Sequence, residues 1–235
     1  MRDLLRANQR EAFAILVLAV LVTGYLATHP AGPTTYVITI WANQALILTL
    51  AAIAQFFAVI VRGIDLSVGA VMALTNCVAS YLVIGSGLDM AFGICVVLLV
   101  GAGCGLLNGL LVVYGRIQPI VVTLATASLF VGIALLLRPT PGGQIDYDLA
   151  DAMTLDVLGI PTALIITAAV IGLIGGTSIL GGRGSLVGTF GGVLFITLLT
   201  SILSVMQISD GWRNIIFGVI ILAMLLLQTL RKKAA

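Results

Sequence analysis

Charge is what this chain has least of. Nine acidic and eleven basic residues make up 9% of 235, where soluble domains carry about 25%. Water is therefore not the solvent for most of its surface, and an apolar content of 60% agrees. Histidine occurs once, at His29, and lysine only at Lys232 and Lys233. The sequence has no HExxH, no GxSxG elbow and no Gly-Lys-Ser/Thr phosphate loop, which argues against catalysis or an ATP site of the chain's own. His29 has no Ser or Cys neighbour and reads as a polar residue at a membrane edge. Cys77, Cys95 and Cys104 lie inside apolar runs, odd in number and without CxxC spacing. They indicate neither a disulfide framework nor a zinc site, and no metal is expected. The net charge is +2 and the basic residues sit in short clusters at the ends of apolar runs, with no basic face to track a phosphate backbone, which excludes nucleic acid as a partner.

What the sequence has instead is long uncharged apolar runs. Backbone amides in hydrocarbon must be paired within their own segment, and no barrel-like alternation occurs, so each run predicts a helix. The expected spans are 12–28, 42–61, 67–84, 90–113, 119–137, 158–174, 188–206 and 214–230. The fold class expected is all-α: a polytopic transmembrane helical bundle of about eight spans in a bilayer of roughly 30 Å. The first run follows a charged stretch as a secretory signal would, but no good small-x-small site precedes His29-Pro30, and it reads as a retained span.

Orientation follows from the excess of Lys and Arg in cytoplasmic connections. Arg2, Arg6, Arg10, Arg62, Arg116, Arg183, Arg231, Lys232 and Lys233 all fall on one side of eight spans, and only Arg138 and Arg213 on the other. That other side receives His29, Asp89, Asp146, Asp148, Asp151, Asp156 and Asp210. Both termini are thus expected in the cytoplasm. Residues 1–235 read as one transmembrane domain, with a cytoplasmic N-terminus at 1–11, an extracytoplasmic loop at 138–159, a glycine-rich turn at 175–187 and a cytoplasmic tail at 231–235. The loop reads either as a solvated connection or as a docking surface.

Three features stand out within the runs. Gly101, Gly105 and Gly109 recur at four-residue steps near Asn108, a groove of missing side chains that lets another helix approach, or that lines a pathway. Asp65 is the carboxylate nearest to being embedded and needs a partner. Arg62 is the candidate cation, while Asp65 and Ser67 could cap the helix expected from Val68; a direct role in transport is the alternative. Residues 175–185 are too glycine-rich for a helix and predict a tight turn. The strings RGIDLSVG at 62–69 and RGSLVG at 183–188 suggest a parallel repeat.

Taken together, RGIDLSVG (62–69), GLLNGLLVV (105–113), IQPIVVTL (117–124) and GGTSILGGRGSLVG (175–188) occur in an order that resembles the membrane permeases of binding-protein-dependent ABC importers for ribose, xylose and galactose. The resemblance runs from about residue 40 to the C-terminus. It implies a multi-pass bacterial inner-membrane permease, paired with itself or a second permease, with an ATP-binding cassette ATPase on the cytoplasmic face and a periplasmic sugar-binding protein outside. ATP and Mg would then sit on the partner, and no cofactor on this chain. Candidate translocation or structural residues are Asp65, Ser67, Asn108, Gln118, Thr123, Thr177, Ser178, Arg183 and Ser185, with Gly101, Gly105 and Gly109 for helix packing. One departure stands out: after the helix ending near Ile174 the family continues with a cytoplasmic coupling segment and further spans, whereas Gly175 follows here at once. Three readings therefore remain open: an importer permease, a shortened subunit that has lost coupling, and a passive channel or secondary transporter.

Overall fold

The computed structural model describes residues 19–26, 29, 30, 32, 34–85, 87–140, 142, 143, 146–157, 160–175 and 186–233. Two compact units emerge, Met1–Trp41 with Gly191–Ala235, and Ala42–Phe190.

Helix α1, Thr35–Ile60, contributes its first residues to the former unit and the rest to the latter. It begins seven residues before the expected 42, because no Gly or Pro interrupts the chain from Thr34 to Arg62. It ends where Arg62 takes a left-handed φ of 61° and the Gly63 amide returns to the Ala58 carbonyl at 2.8 Å, a tight C-terminal closure.

In the larger unit, α2 (Val68–Leu82), α3 (Leu88–Val113) and α4 (Pro119–Leu137) form a three-helix bundle. Their boundaries fall within two residues of the expected spans. Pro119 stands at the first position of α4, where its missing N–H costs nothing. Leu82 meets Gly93, Thr75 meets Gly101 and Ser67 meets Asn108, a register that fixes α3 antiparallel to α2. Leu66 bonds to Thr123 and Tyr81 to Leu137, so α4 runs parallel to α2, as alternate crossings of a bilayer require. Ala70, Leu74, Cys104, Phe130 and Ala134 form the core of this bundle.

Short elements lie within the expected loop 138–159. It holds α5 (Tyr147–Thr154), whose N-cap Asp146 accepts the Asp148 amide at 2.9 Å. Strands β1 (Asp156–Val157) and β2 (Ile160–Pro161) then pair antiparallel. An aspartate one residue ahead of a short polar run is a good cap, and the helix also packs against the segment Thr162–Gly175 that follows. Helix α6, Thr162–Gly175, follows.

In the smaller unit, Tyr25, Val37 and Leu198 form a core with Leu21, Val22, Trp41 and Ile202 around it. Helix α7 is Leu186–Val205 and α8 is Asp210–Lys233. The basic residues Arg231 to Lys233 continue α8, so the expected tail is partly helical.

Small polar residues share the interior with the apolar core, and the exterior is strongly apolar. Thr49, Thr126, Thr167, Thr197 and Ser201 are buried, each hydroxyl donating to a carbonyl four residues earlier. Meanwhile Phe92, Leu98, Leu99 and Leu106 are more than 60% exposed. Water would penalise such a surface at about 25 cal/mol per Å²; hydrocarbon does not. Helices α1, α3 and α4 are long and apolar enough to cross a membrane.

Candidate functional site

The non-helical segment between α1 and α2 is held by side chains from two neighbouring helices. Thr123, in the first turn of α4, accepts the Leu66 amide at 3.0 Å and donates to the Ile64 carbonyl at 3.3 Å. Asp65 Oδ1 accepts both the amide and the hydroxyl of Ser67, at 2.7 and 2.6 Å. The Ser67 hydroxyl in turn accepts from Asn108 Nδ2 at 2.8 Å. A hydroxyl that donates to a carboxylate and accepts from an amide has its only donor committed, and the chain Asn108–Ser67–Asp65 has one consistent direction. Ser67, Asn108 and Thr123 are all buried, Ser67 to 1% exposure, so water does not compete for these bonds.

Four of the sequence candidates, Asp65, Ser67, Asn108 and Thr123, thus converge at one end of the bundle. Two expectations about them need correction. Ser67 occupies the N-cap of α2, but its hydroxyl makes no cap bond; Asp65 and Asn108 have claimed it. The Asp65 carboxylate likewise bonds to Ser67 itself and not to the first-turn amides of α2. Nor does Arg62 pair with Asp65: its left-handed backbone turns it outward, it is exposed, and the salt bridge found among the described residues is Arg213–Asp210 at 3.3 Å. Gln118 is exposed at the N-cap of α4 and makes no side-chain cap bond. Thr177, Ser178, Arg183 and Ser185, with most of the glycine-rich turn and the second repeat string, lie outside the described residues.

Beside the node opens a cleft of about 360 Å³ in the larger unit. Ile47, Leu50, Ala51 and Ala54 of α1 form one wall, Val68, Val71 and Met72 of α2 another, and Gly101 and Gly105 of α3 a third; Asp65, Ser67 and Asn108 supply its polar atoms. Two of the three spaced glycines thus border open space. A Cβ at Gly101 would stand 3.7 Å from Thr75, while at Gly105 and Gly109 it would meet nothing within 4 Å.

Among the glycines of α3 the tightest contact is at Gly93, which was not singled out from the sequence: a Cβ there would overlap the Leu82 carbonyl. Its signal was present, since Gly93 extends the 101–105–109 face by eight residues. At the same ends of α2 and α4, Tyr81 donates its hydroxyl to the Leu137 carbonyl at 2.9 Å and lies 4.6 Å beneath the Arg138 guanidinium, a cation–π stack.

Comparison with known proteins places this geometry. Residues 37–151 match the family described as branched-chain amino acid transport system / permease component. The autoinducer 2 import system permease protein LsrD of Escherichia coli is 32% identical over 160 residues, covering 65% of this chain and 48% of its own length; that of Shigella flexneri gives the same values. The LsrD of another Escherichia coli strain is 40% identical over 111 residues, 44% of this chain and 33% of its own length. The chain therefore spans about half the length of the curated relatives it matches. No solved structure matches it. With helices long and apolar enough to cross a membrane, an apolar exterior and these permease relatives, the protein is a multi-pass protein of the inner membrane. The strings RGIDLSVG, GLLNGLLVV and IQPIVVTL, and with them Asp65, Ser67, Asn108 and Thr123, all fall inside the matched segment. Residues 37–151, just under half of the chain, are thus similar to the permease component of a transport system.

Proposed function

We propose that this chain is the transmembrane permease subunit of an ABC importer that moves a sugar or a related small polar solute delivered by a periplasmic binding protein. The observation that carries this reading is the match over residues 37–151, which includes the buried node of Asp65, Ser67 and Asn108. The chain offers a path and a conformational switch, not chemistry. The energy would come from an ATP-binding cassette subunit on the cytoplasmic face, holding ATP and Mg, with two permease copies, alike or different, framing the path. The ordered stretch formed by α5 and the β1–β2 hairpin carries Asp146, Asp148, Asp151 and Asp156, and suits contact with an extracytoplasmic binding protein.

A second reading follows from the coupling segment that the resemblance implies before Gly175 and the sequence does not show: a subunit that keeps its packing surfaces and has lost coupling. Purification from native membranes in mild detergent, with crosslinking beforehand, separates the two. The importer reading expects an ABC ATPase in near-stoichiometric amount by mass spectrometry. Its absence from the crosslinked complex overturns that reading.

A further inference from the structure

Among the described residues three that are not glycine hold a left-handed backbone, and two of them are arginines at one end of the three-helix bundle. Arg62 follows α1 with φ 61° and Arg116 follows α3 with φ 53°, while Gln207, φ 56°, follows α7 in the smaller unit. A side chain is strained in that region, and the position after a helix usually goes to glycine. Gly63 and Gly115 stand beside the two arginines, yet each time the arginine takes the strained place. Both arginines are exposed, and strain held at such residues points to what their side chains do. A cation after a helix can stabilise it by bonding the last carbonyls. Neither guanidinium does so: among the described residues neither makes a hydrogen bond or an ion pair.

The two turns meet. A Cβ at Gly63 would stand 3.5 Å from the Pro119 side chain, and Thr123 of α4 accepts the Leu66 amide at 3.0 Å. Around the arginines Val61, Ile64, Val113, Tyr114 and Ile117 are exposed, so apolar surface continues to the very end of helices that are long enough to cross a membrane. A medium that suits both this rim and two free cations is the boundary between hydrocarbon and headgroups. The charged residues of segments 61–67 and 114–118 are Arg62, Asp65 and Arg116. Asp65 is engaged by Ser67 and lines the cleft, which leaves the edge itself cationic.

We propose that Arg62 and Arg116 form a site for the phosphate of an anionic phospholipid at this edge of the membrane. The planar guanidinium matches two phosphate oxygens at once, and its stem lies along the apolar rim. Two cations repel the ammonium of a zwitterionic headgroup, so a lipid with net negative charge is preferred. Free phosphate offers the same oxygens but has no acyl chains for Val113, Tyr114 and Ile117 to touch. The site stands on the two turns and on residence in a membrane, and it holds whether or not the chain imports a solute.

The test is native mass spectrometry of the detergent-purified full chain, offered dioleoylphosphatidylglycerol and dioleoylphosphatidylethanolamine in equal amounts. The parent should retain the glycerol lipid in preference, by roughly fivefold for each arginine. Arg62→Gly and Arg116→Gly should each lose that factor, and the double variant should bind the two lipids alike. In lipid-free detergent both variants should melt a few degrees above the parent, since glycine relieves the left-handed backbone. Gln207→Gly should melt higher too and keep the lipid preference. A parent that binds both lipids equally overturns the site, as does a preference that survives in the double variant. Arginine variants that melt below the parent would show that the arginines serve the fold itself, which also overturns it. So would displacement of the lipid by inorganic phosphate but not by chloride of equal ionic strength, because the site would then be one for free phosphate.

Discussion

A single methyl group on α3 has opposite consequences at two glycines sixteen residues apart. At Gly93 a Cβ would overlap the Leu82 carbonyl and crowd the Leu82 carbon and the Val83 amide, all backbone atoms near the C-terminal end of α2. No rotamer change can relieve a clash with backbone, so the end of α2 must move away from α3. That movement also strains the Tyr81–Leu137 bond and the Arg138 stack, which tie the same end of α2 to α4. Overpacking of this kind costs about 1–3 kcal/mol, and the loss of a hydrogen bond in a membrane bundle adds about 0.6, with a maximum near 1.7. Gly93→Ala should therefore destabilise by about 2–4 kcal/mol. At Gly109 the added Cβ meets nothing within 4 Å, and alanine exceeds glycine in a helix by about 0.8–1 kcal/mol, so Gly109→Ala should be neutral or stabilising. Unfolding of the two variants in mixed micelles by denaturing detergent gives both signs in one series. Gly93→Ala as stable as the parent would refute the close approach of α2 and α3, and with it the register that brings Ser67 to Asn108.

The same measurement reads the polar node. Ser67→Ala and Asn108→Leu should each destabilise by about 1–2 kcal/mol, and the double variant should fall short of their sum by about 0.6–1.7 kcal/mol, since one bond is lost in either case. Strict additivity would show the 2.8 Å contact to be energetically idle. Thr123→Val leaves the Leu66 amide and the Ile64 carbonyl without their partner and should cost about 1–3 kcal/mol, whereas Thr123→Ser keeps both bonds and should cost about 1 kcal/mol or less for the lost methyl. Equal effects of Val and Ser would mean that the hydroxyl is not what holds residues 64–66. For orientation, cysteine placed at Asp148 or at Arg116, both exposed, is to be probed with a membrane-impermeant maleimide in a background lacking Cys77, Cys95 and Cys104. Asp148→Cys should label from outside intact cells and Arg116→Cys only after lysis; the opposite pattern would invert the topology.

What could be read in the sequence follows from which signals are local. The α2, α3 and α4 boundaries were legible to within two residues because Ser67, Gly87 and Pro119 punctuate uncharged runs, and a helix needs only its own residues to satisfy its backbone in hydrocarbon. The start of α1 was missed because the Thr-rich stretch before Ile40 carries no terminator, and α5 because an eight-residue helix with an aspartate cap leaves little apolar pattern. At the site, residue types gave Asp65, Ser67, Asn108 and Thr123, since polar side chains inside apolar runs are few. Their partners were not legible. Arg62 was the nearest cation to Asp65 in sequence, but its φ of 61° follows from closure of α1 onto Ala58, a backbone event that no charge count reveals. The hydroxyl of Ser67 was expected to cap its own helix, and the competing amide of Asn108 lies 41 residues away.

Uptake by the native complex decides the central matter of what the chain does. Proteoliposomes carrying the complex purified from its own membranes, with the co-purified binding protein on one face and ATP with Mg on the other, are given tritiated D-ribose, D-xylose or D-galactose. Accumulation of one of these against its gradient, requiring ATP and lost without the binding protein, is the expected result. Flux that proceeds equally without ATP, or no flux from a complex that retains its ATPase, would contradict an importer permease.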